Sequence, residues 1–333
     1  METLQATDRA LPFTCLEDAA YARNMAARVE PYLAARRKSG FFEREPGRPL
    51  YYESFLPDGA PRGTVVICHG LNENCEKFCE PIYYFLQAGY EVWMPEHRGH
   101  GRSWRAVADP SLTHIDRFDT YVQDFAGFVQ NCVLQSAATV RPLFLYAHSM
   151  GGAIGTAVLE QHPGLFARAV LNAPMLSMRN GAMPNWLCWL ISAVMLLVGK
   201  GQDYAAGQTP FDPHRGLDEY VCDEPNRFLY YQAKCAKNPA LQNHGVSYRW
   251  GKACLDGSRR VRSAKNEAKV AIPVLLFSAG KDLYVRNDAH AAFAARRPNV
   301  RQVFVPDGQH ELYLADRKAL TAYWQTLLDF LAQ

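Results

Sequence analysis

The chain has 333 residues, 48% of them hydrophobic and 21% charged, an ordinary globular composition with material for a large core. Its 36 basic and 33 acidic side chains leave a formal net charge of +3, too balanced for a nucleic-acid binder. Nine cysteines, odd in number and irregularly spaced, exclude a complete disulfide framework and point to reduced thiols in a cytosolic protein.

Residues 1–11 are polar and lack an apolar stretch, so no signal peptide is expected. Residues 14–38 are rich in alanine and arginine, with apolar residues at helical spacing, and predict a helix kinked at Pro31. Residues 50–56 predict an early strand. Short apolar runs then predict strands at 64–68, 90–94, 143–146, 169–171, 274–277 and 302–305. Helical patterns at 77–87, 120–135, 153–160, 287–295 and 317–331 separate several of them. Such alternation predicts an α/β fold, a mostly parallel sheet with helices on both faces. Cys75 and Cys79 share a helical spacing, but no second Cys or His pair is placed to complete a zinc site.

The interval 175–270 breaks the rhythm, being irregular and rich in aromatic residues, Cys and Pro. It reads as an insertion between two core parts, 1–174 and 271–333, lying over the carboxyl ends of the strands. Within it, residues 186–198 are apolar on nearly every face yet too few to span a bilayer. Two readings stay open. One is a buried helix. The other is an exposed apolar surface touching membrane or acyl chains, with Trp186, Trp189 and Lys200 suited to the interface.

The predicted strand at 143–146 runs through Ala147 and His148 into Ser149, and Met150, Gly151 and Gly152 then open a helix. A serine on a sharp strand-to-helix turn is a nucleophile elbow, and small neighbours let the two backbones approach. Ala147 stands where the first glycine of G-x-S-x-G is usual. A serine hydroxyl needs a base, and the base an orienting acid. In this fold their order is Ser, then acid, then His. Asp282 and His310 follow in that order, each in a loop just past a predicted strand. Asp256 and Asp307 are rival acids without that placement, and Asp282 has a competing reading as a helix cap. His148 adjoins the nucleophile, but its ring is expected to point away from Ser149. The oxyanion donors are expected to be the backbone N–H groups of Met150 and, after His69 and Gly70, of Leu71. The segment from His97 to Ser103 lacks the Lys-Ser/Thr ending of a phosphate loop and reads as a structural glycine-rich turn, with Arg98 bonding backbone carbonyls.

These segments resemble the monoacylglycerol lipase and lysophospholipase group of α/β-hydrolases, and within it the bacterial lysophospholipase L2 family. The resemblance rests on the motifs at His69, His97 and Ser149, on Asp282 and His310, and on Asp109-Pro110 and the run from Arg117 to Asp124. It continues through His162-Pro163-Gly164, Ala173-Pro174-Met175 and the cap segment from Val246 to Trp250. It implies an α/β-hydrolase fold and a cap over an acyl pocket. It implies hydrolysis of the single fatty-acyl ester of a lipid, with no metal or organic cofactor. It also implies a cytoplasmic protein associated peripherally with the inner membrane. The rivals are a monoacylglycerol lipase, a general carboxylesterase and, in another class, a non-catalytic binding protein on the same fold. A related serine aminopeptidase is disfavoured because no acidic cluster stands out to bind a free amine.

Overall fold

The apolar runs become the strands of one sheet. A computed structural model describes residues 2–214 and 222–333. The strands are β1 (Glu2–Thr3), β2 (Arg37–Phe42), β3 (Leu50–Phe55), β4 (Thr64–Cys68), β5 (Glu91–Pro95), β6 (Leu112–Thr113), β7 (Leu143–His148), β8 (Arg168–Asn172), β9 (Gly245–Val246), β10 (Val274–Ala279) and β11 (Val300–Val305). Nine form a sheet in the order β1-β11-β10-β8-β7-β4-β5-β3-β2. The pairs β2–β3 and β3–β5 are antiparallel and all others in it are parallel. The fold is therefore α/β, with a mostly parallel central sheet.

The helices are α1 (Tyr21–Asn24), α2 (Glu30–Ala34), α3 (Cys79–Gln87), α4 (Phe118–Phe128), α5 (Ser149–Gln161), α6 (Asn185–Leu197), α7 (Pro225–Lys237), α8 (Tyr248–Val261), α9 (Ala264–Glu267), α10 (Asn287–Arg296) and α11 (Arg317–Ala332). Side chains alternate across a strand, so β4 feeds two cores. Val65 and Ile67 pack with Ile82, Phe85 and Trp324, while Val66 and Cys68 pack with Phe125, Ile154 and Trp250. The first core lies under α3 and α11, the second under α4, α5 and α8. Helix α5 is buried from Ser149 to Glu160. Its glycines and alanines permit this, and polar faces are not required of a helix covered all round.

The N-terminal segment departs from the expected single helix. Helical structure stops at Ala34, and Arg37 already begins β2. Pro31 lies in the first turn of α2, directly after a wide π-type turn over Met25–Val29. Proline offers no N–H to the preceding turn, which accounts for a break there. The strands β1 and β2 are the two sheet edges. Edge strands face water and carry little apolar signal, and neither was expected from the sequence.

The interval after β8 is more regular than expected. Among the described residues it holds α6, α7, α8 and α9 and the short strand β9, which pairs with β6. Its last part packs onto the core, where a Cβ at Gly257 would lie 2.3 Å from the Phe118 ring, and ties back to the start of the interval, where Ser258 donates to the Met175 carbonyl over 3.0 Å. Helix α6 is only half embraced. Trp189 donates to Asp256 of α8 over 2.8 Å, whereas the opposite side is exposed among the described residues. Only Ser192 of α6 is buried, while Trp186 is 68% and Leu197 86% exposed. Residues 186–198 are thus half-buried on the side that meets α8 and exposed on the other, so neither reading holds for the whole segment. No helix among the described residues is long and apolar enough to cross a membrane.

Candidate active site

Strands β7, β10 and β11 are parallel, with β8 between the first two, so their carboxyl ends lie on one edge. β7 ends at His148, and α5 begins at Ser149 with no connecting residue. This abrupt turn puts Ser149 at φ 49°, the left-handed region that a side chain rarely occupies. The strained backbone drives its hydroxyl out of the turn. Asp282 follows β10, and His310 follows β11.

The three side chains meet. Ser149 Oγ lies 2.8 Å from His310 Nε2, and His310 Nδ1 donates to Asp282 Oδ2 over 2.7 Å. The second oxygen of Asp282 accepts the N–H groups of Tyr284 and Val285 at 2.8 and 3.0 Å. Asp282 thus also shapes its own turn, as the capping reading supposed, with its free oxygen aimed at the histidine. Burial alone would raise its carboxyl; His310 and the two backbone donors outweigh burial and hold it below the usual value. That keeps it a carboxylate, which fixes His310 as the tautomer with Nε2 free to accept. All three residues are buried, and Tyr284 covers the imidazole with ring centroids 5.2 Å apart.

Met150 is the second residue of α5, so its N–H has no acceptor within the helix. Leu71 N–H has no hydrogen-bond partner among the described residues. The Leu71 loop passes close to the serine: a Cβ at Gly70 would come within 3.1 Å of Ser149 Cβ. Closeness, not an unusual turn, makes glycine necessary there. The rival acids stand elsewhere. Asp256 pairs with Lys252 and Arg259, and Asp307 is exposed beside Lys281.

The turn after β5 is structural, with one correction. Arg98 binds the carboxylates of Asp124 and Glu45 rather than backbone carbonyls. Arg105 takes that task, donating to the carbonyls of Gly99, Pro110, Gly101 and Ala240. His69, His97 and His100 pack ring against ring nearby, with centroids 4.2 to 6.3 Å apart. His69 Nε2 accepts the His97 N–H at 2.8 Å, so His69 must be neutral. Among the described residues, no three His, Cys, Asp or Glu are grouped to hold a metal, and all nine cysteines are free.

Burial holds His97 down to about 4 and His100 to about 3, and it holds His290, under the site, down to about 4. The unfolded chain binds these protons near 6.5, whereas the fold refuses them. The contribution of these three rings is therefore full above that value and falls as pH drops toward 4, by about 1.4 kcal/mol per unit for each histidine. The melting temperature is expected to fall steeply as pH drops from 6.5 to 4.5. A flat profile across that acid window would contradict the neutral burial of these rings.

Sequence reasoning missed Glu73 and the reach of His148. Glu73 is buried and receives the Gly70 N–H and the Tyr313 hydroxyl. His148 turns away from Ser149, as expected, and its ring meets Glu73 on one side and the His310 carbonyl on the other. The available signal was the spacing His69-Gly70-Leu71-Asn72-Glu73, a carboxylate three residues beyond the loop's glycine.

Comparison with known proteins agrees with this architecture. The "Probable lysophospholipase L2" of Haemophilus influenzae is 28% identical over 298 residues, spanning 85% of this chain and 92% of that protein. The "Lysophospholipase L2" of Escherichia coli (strain K12) is 29% identical over 275 residues, 80% of this chain and 79% of that protein. A crystal structure of a soluble variant of monoglyceride lipase from Saccharomyces cerevisiae, in complex with a substrate analog, superposes with a TM-score of 0.70. It covers 89% of this chain and 94% of its own at 18% identity, which speaks for the fold. The family described as "Serine aminopeptidase, S33" matches residues 59–317, a span holding the elbow serine and the aspartate and histidine aligned with it, and the chain belongs to that hydrolase family.

Proposed function

We propose that this protein is a serine esterase that cleaves the single fatty-acyl ester of lysophospholipids. The observation that carries the reading is the unbroken line from Ser149 through His310 to Asp282 at the strand-to-helix elbow. Ser149 attacks the ester carbonyl while His310 Nε2 takes its proton. The oxyanion sits between the N–H groups of Leu71 and Met150. His310 then protonates the departing glycerol oxygen, and Asp282 stabilises the imidazolium in between. Water, activated by the same histidine, releases the fatty acid from Ser149. The residues themselves perform every step, so no metal or organic cofactor is invoked.

The choice of substrate rests on the likeness to proteins named lysophospholipase L2 over four-fifths or more of the chain. In this reading residues 175–270 are a cap that sets specificity over a core made of 1–174 and 271–333. The test is turnover of lysophosphatidylcholine against monoacylglycerol, each with a Ser149→Ala control. Faster cleavage of the monoacylglycerol would move the assignment to a monoacylglycerol lipase.

The same reading places the working enzyme on the cytoplasmic face of the membrane, held there peripherally by α6. Trp186, Leu190, Val194 and Leu197 recur on one exposed face, and Met183 and Leu283 are exposed too. Burying a leucine contributes about 1.5–3 kcal/mol. The double variant Leu190→Ser, Leu197→Ser is expected to bind lipid vesicles at least about tenfold more weakly. Its turnover of a soluble short-chain ester should be unchanged. Equal vesicle binding by both proteins would remove α6 from the lipid contact.

A further inference from the structure

His148 stands between two acceptors. Its Nδ1 lies 2.9 Å from Glu73 Oε1, and its Nε2 lies 3.2 Å from the carbonyl oxygen of His310. The carbonyl has no proton to give. Glu73 accepts the Gly70 N–H and the Tyr313 hydroxyl and has Lys77 Nζ 3.7 Å away, contacts that favour its charged form, and a carboxylate only accepts. Both ring nitrogens must donate, and only an imidazolium does so. The electrostatics agree. Burial would push His148 down, but the Glu73 charge and hydrogen bond outweigh it and raise the ring. Burial would likewise raise Glu73, and His148 and Lys77 pull it well below the usual carboxylate range.

The remaining charged and titratable neighbours fit this state. Glu311 is paired with Lys77. The His310 and Tyr313 rings flank His148 at 4.8 and 5.1 Å. Glu73 and His148 are buried. A buried ion pair is a poor way to gain stability, since a well-packed apolar pair of equal volume does as well or better. What it supplies is direction. Glu73 fixes the turn at Gly70, one residue before the Leu71 N–H. His148 fixes the backbone of His310 and is itself bonded covalently to Ser149.

We propose that Glu73 and His148 form one positioning unit, a buried carboxylate–imidazolium pair that registers the His310 loop and the Gly70–Leu71 turn against Ser149. This rests on the ester-hydrolase reading above. Neither residue touches the reacting atoms. Displacements of about 1 Å in such a site cost on the order of a hundredfold in rate.

The test uses Glu73→Gln, His148→Gln and the double variant in the full chain. Their kcat on a soluble p-nitrophenyl ester is normalised to sites titrated by a fluorophosphonate. Each single variant is expected to lose roughly ten- to a hundredfold in kcat, with KM within about twofold. The double variant should lose no more than the worse single one, because the pair acts as a unit. In 15N-histidine spectra at pH 7.5, wild-type His148 should show two protonated nitrogens, and Glu73→Gln should show one. A neutral His148 in the wild type overturns the proposal, even if no variant folds. Unchanged kcat per titrated site, or single losses that multiply in the double variant, overturn it equally. A wild type that cleaves no ester sinks the ester-hydrolase reading and this role with it, whereas an active wild type with unaffected variants sinks this role alone.

Discussion

Replacing Ser149 by alanine is expected to lower kcat on a soluble ester by roughly 100,000-fold or more, leaving a folded protein that still binds substrate. The change removes one oxygen. The Asp282–His310 bond of 2.7 Å survives, as do the N–H groups of Leu71 and Met150. The site would still polarise an ester carbonyl, which is why a residue of about a thousandfold over water is expected to remain. The fold should be indifferent, because alanine and serine bear the left-handed φ of 49° about equally. Asp282→Asn should cost less, on the order of 10,000-fold. An asparagine there can present an N–H to His310 Nδ1 and so favour the wrong tautomer. Ser149→Ala, His310→Ala and their double variant should lose similar amounts, since a nucleophile without its base and a base without its nucleophile are equally idle. Initial rates on a p-nitrophenyl ester, with a fluorophosphonate labelling control, measure all of these. Retention of even about one part in a hundred by Ser149→Ala would exclude the serine as nucleophile.

The central strands were legible because they are buried on both faces. Residues 64–68 read as a strand, and all five residues of β4 are buried. The edges were illegible for the converse reason. Arg37, Lys38 and Ser39 open β2 with polar side chains, the last two exposed, and their alanine- and arginine-rich approach favoured helix. The order Ser149, Asp282, His310 could be read because each follows its own apolar run. Glu73 could not, because a lone glutamate among asparagines in a loop looks solvated until the fold closes over it. Arg98 and Arg105 sit in one polar turn, and sequence does not say which faces carbonyls and which faces carboxylates. For residues 186–198, composition showed apolarity on all sides. Which side is exposed among the described residues depends on where α8 packs against it.

The largest effect on folding is expected from the smallest change near the elbow, Gly151→Ala. Helix propensity alone says the opposite, favouring alanine by about 1 kcal/mol within a helix. Packing reverses the sign. A Cβ at Gly151 would lie 2.0 Å from the Cys68 carbonyl oxygen and 2.4 Å from that of His69. Both obstacles are backbone. Cys68 is locked in register against Ala147 of β7, so it cannot swing aside as a side-chain tip would. Relief requires α5 or the end of β4 to move by about 1 Å, and overpacking of this kind costs about 3 kcal/mol or more. Moving β4 also drags His69, Gly70 and the Leu71 N–H away from Ser149, so turnover should fall with stability. The contrast lies four residues on. At Gly155 the nearest obstacle is the flexible tip of Leu145, at 2.8 Å, followed by Ala147 Cβ at 3.3 Å. This is also how the elbow tolerates alanine at position 147, because its Cβ faces a glycine of α5. Gly155→Ala should therefore cost clearly less than Gly151→Ala. Urea unfolding of both variants, with kcat per titrated site, decides the matter. A Gly151→Ala protein as stable as the wild type would mean that the strand and helix do not approach as closely as the elbow requires.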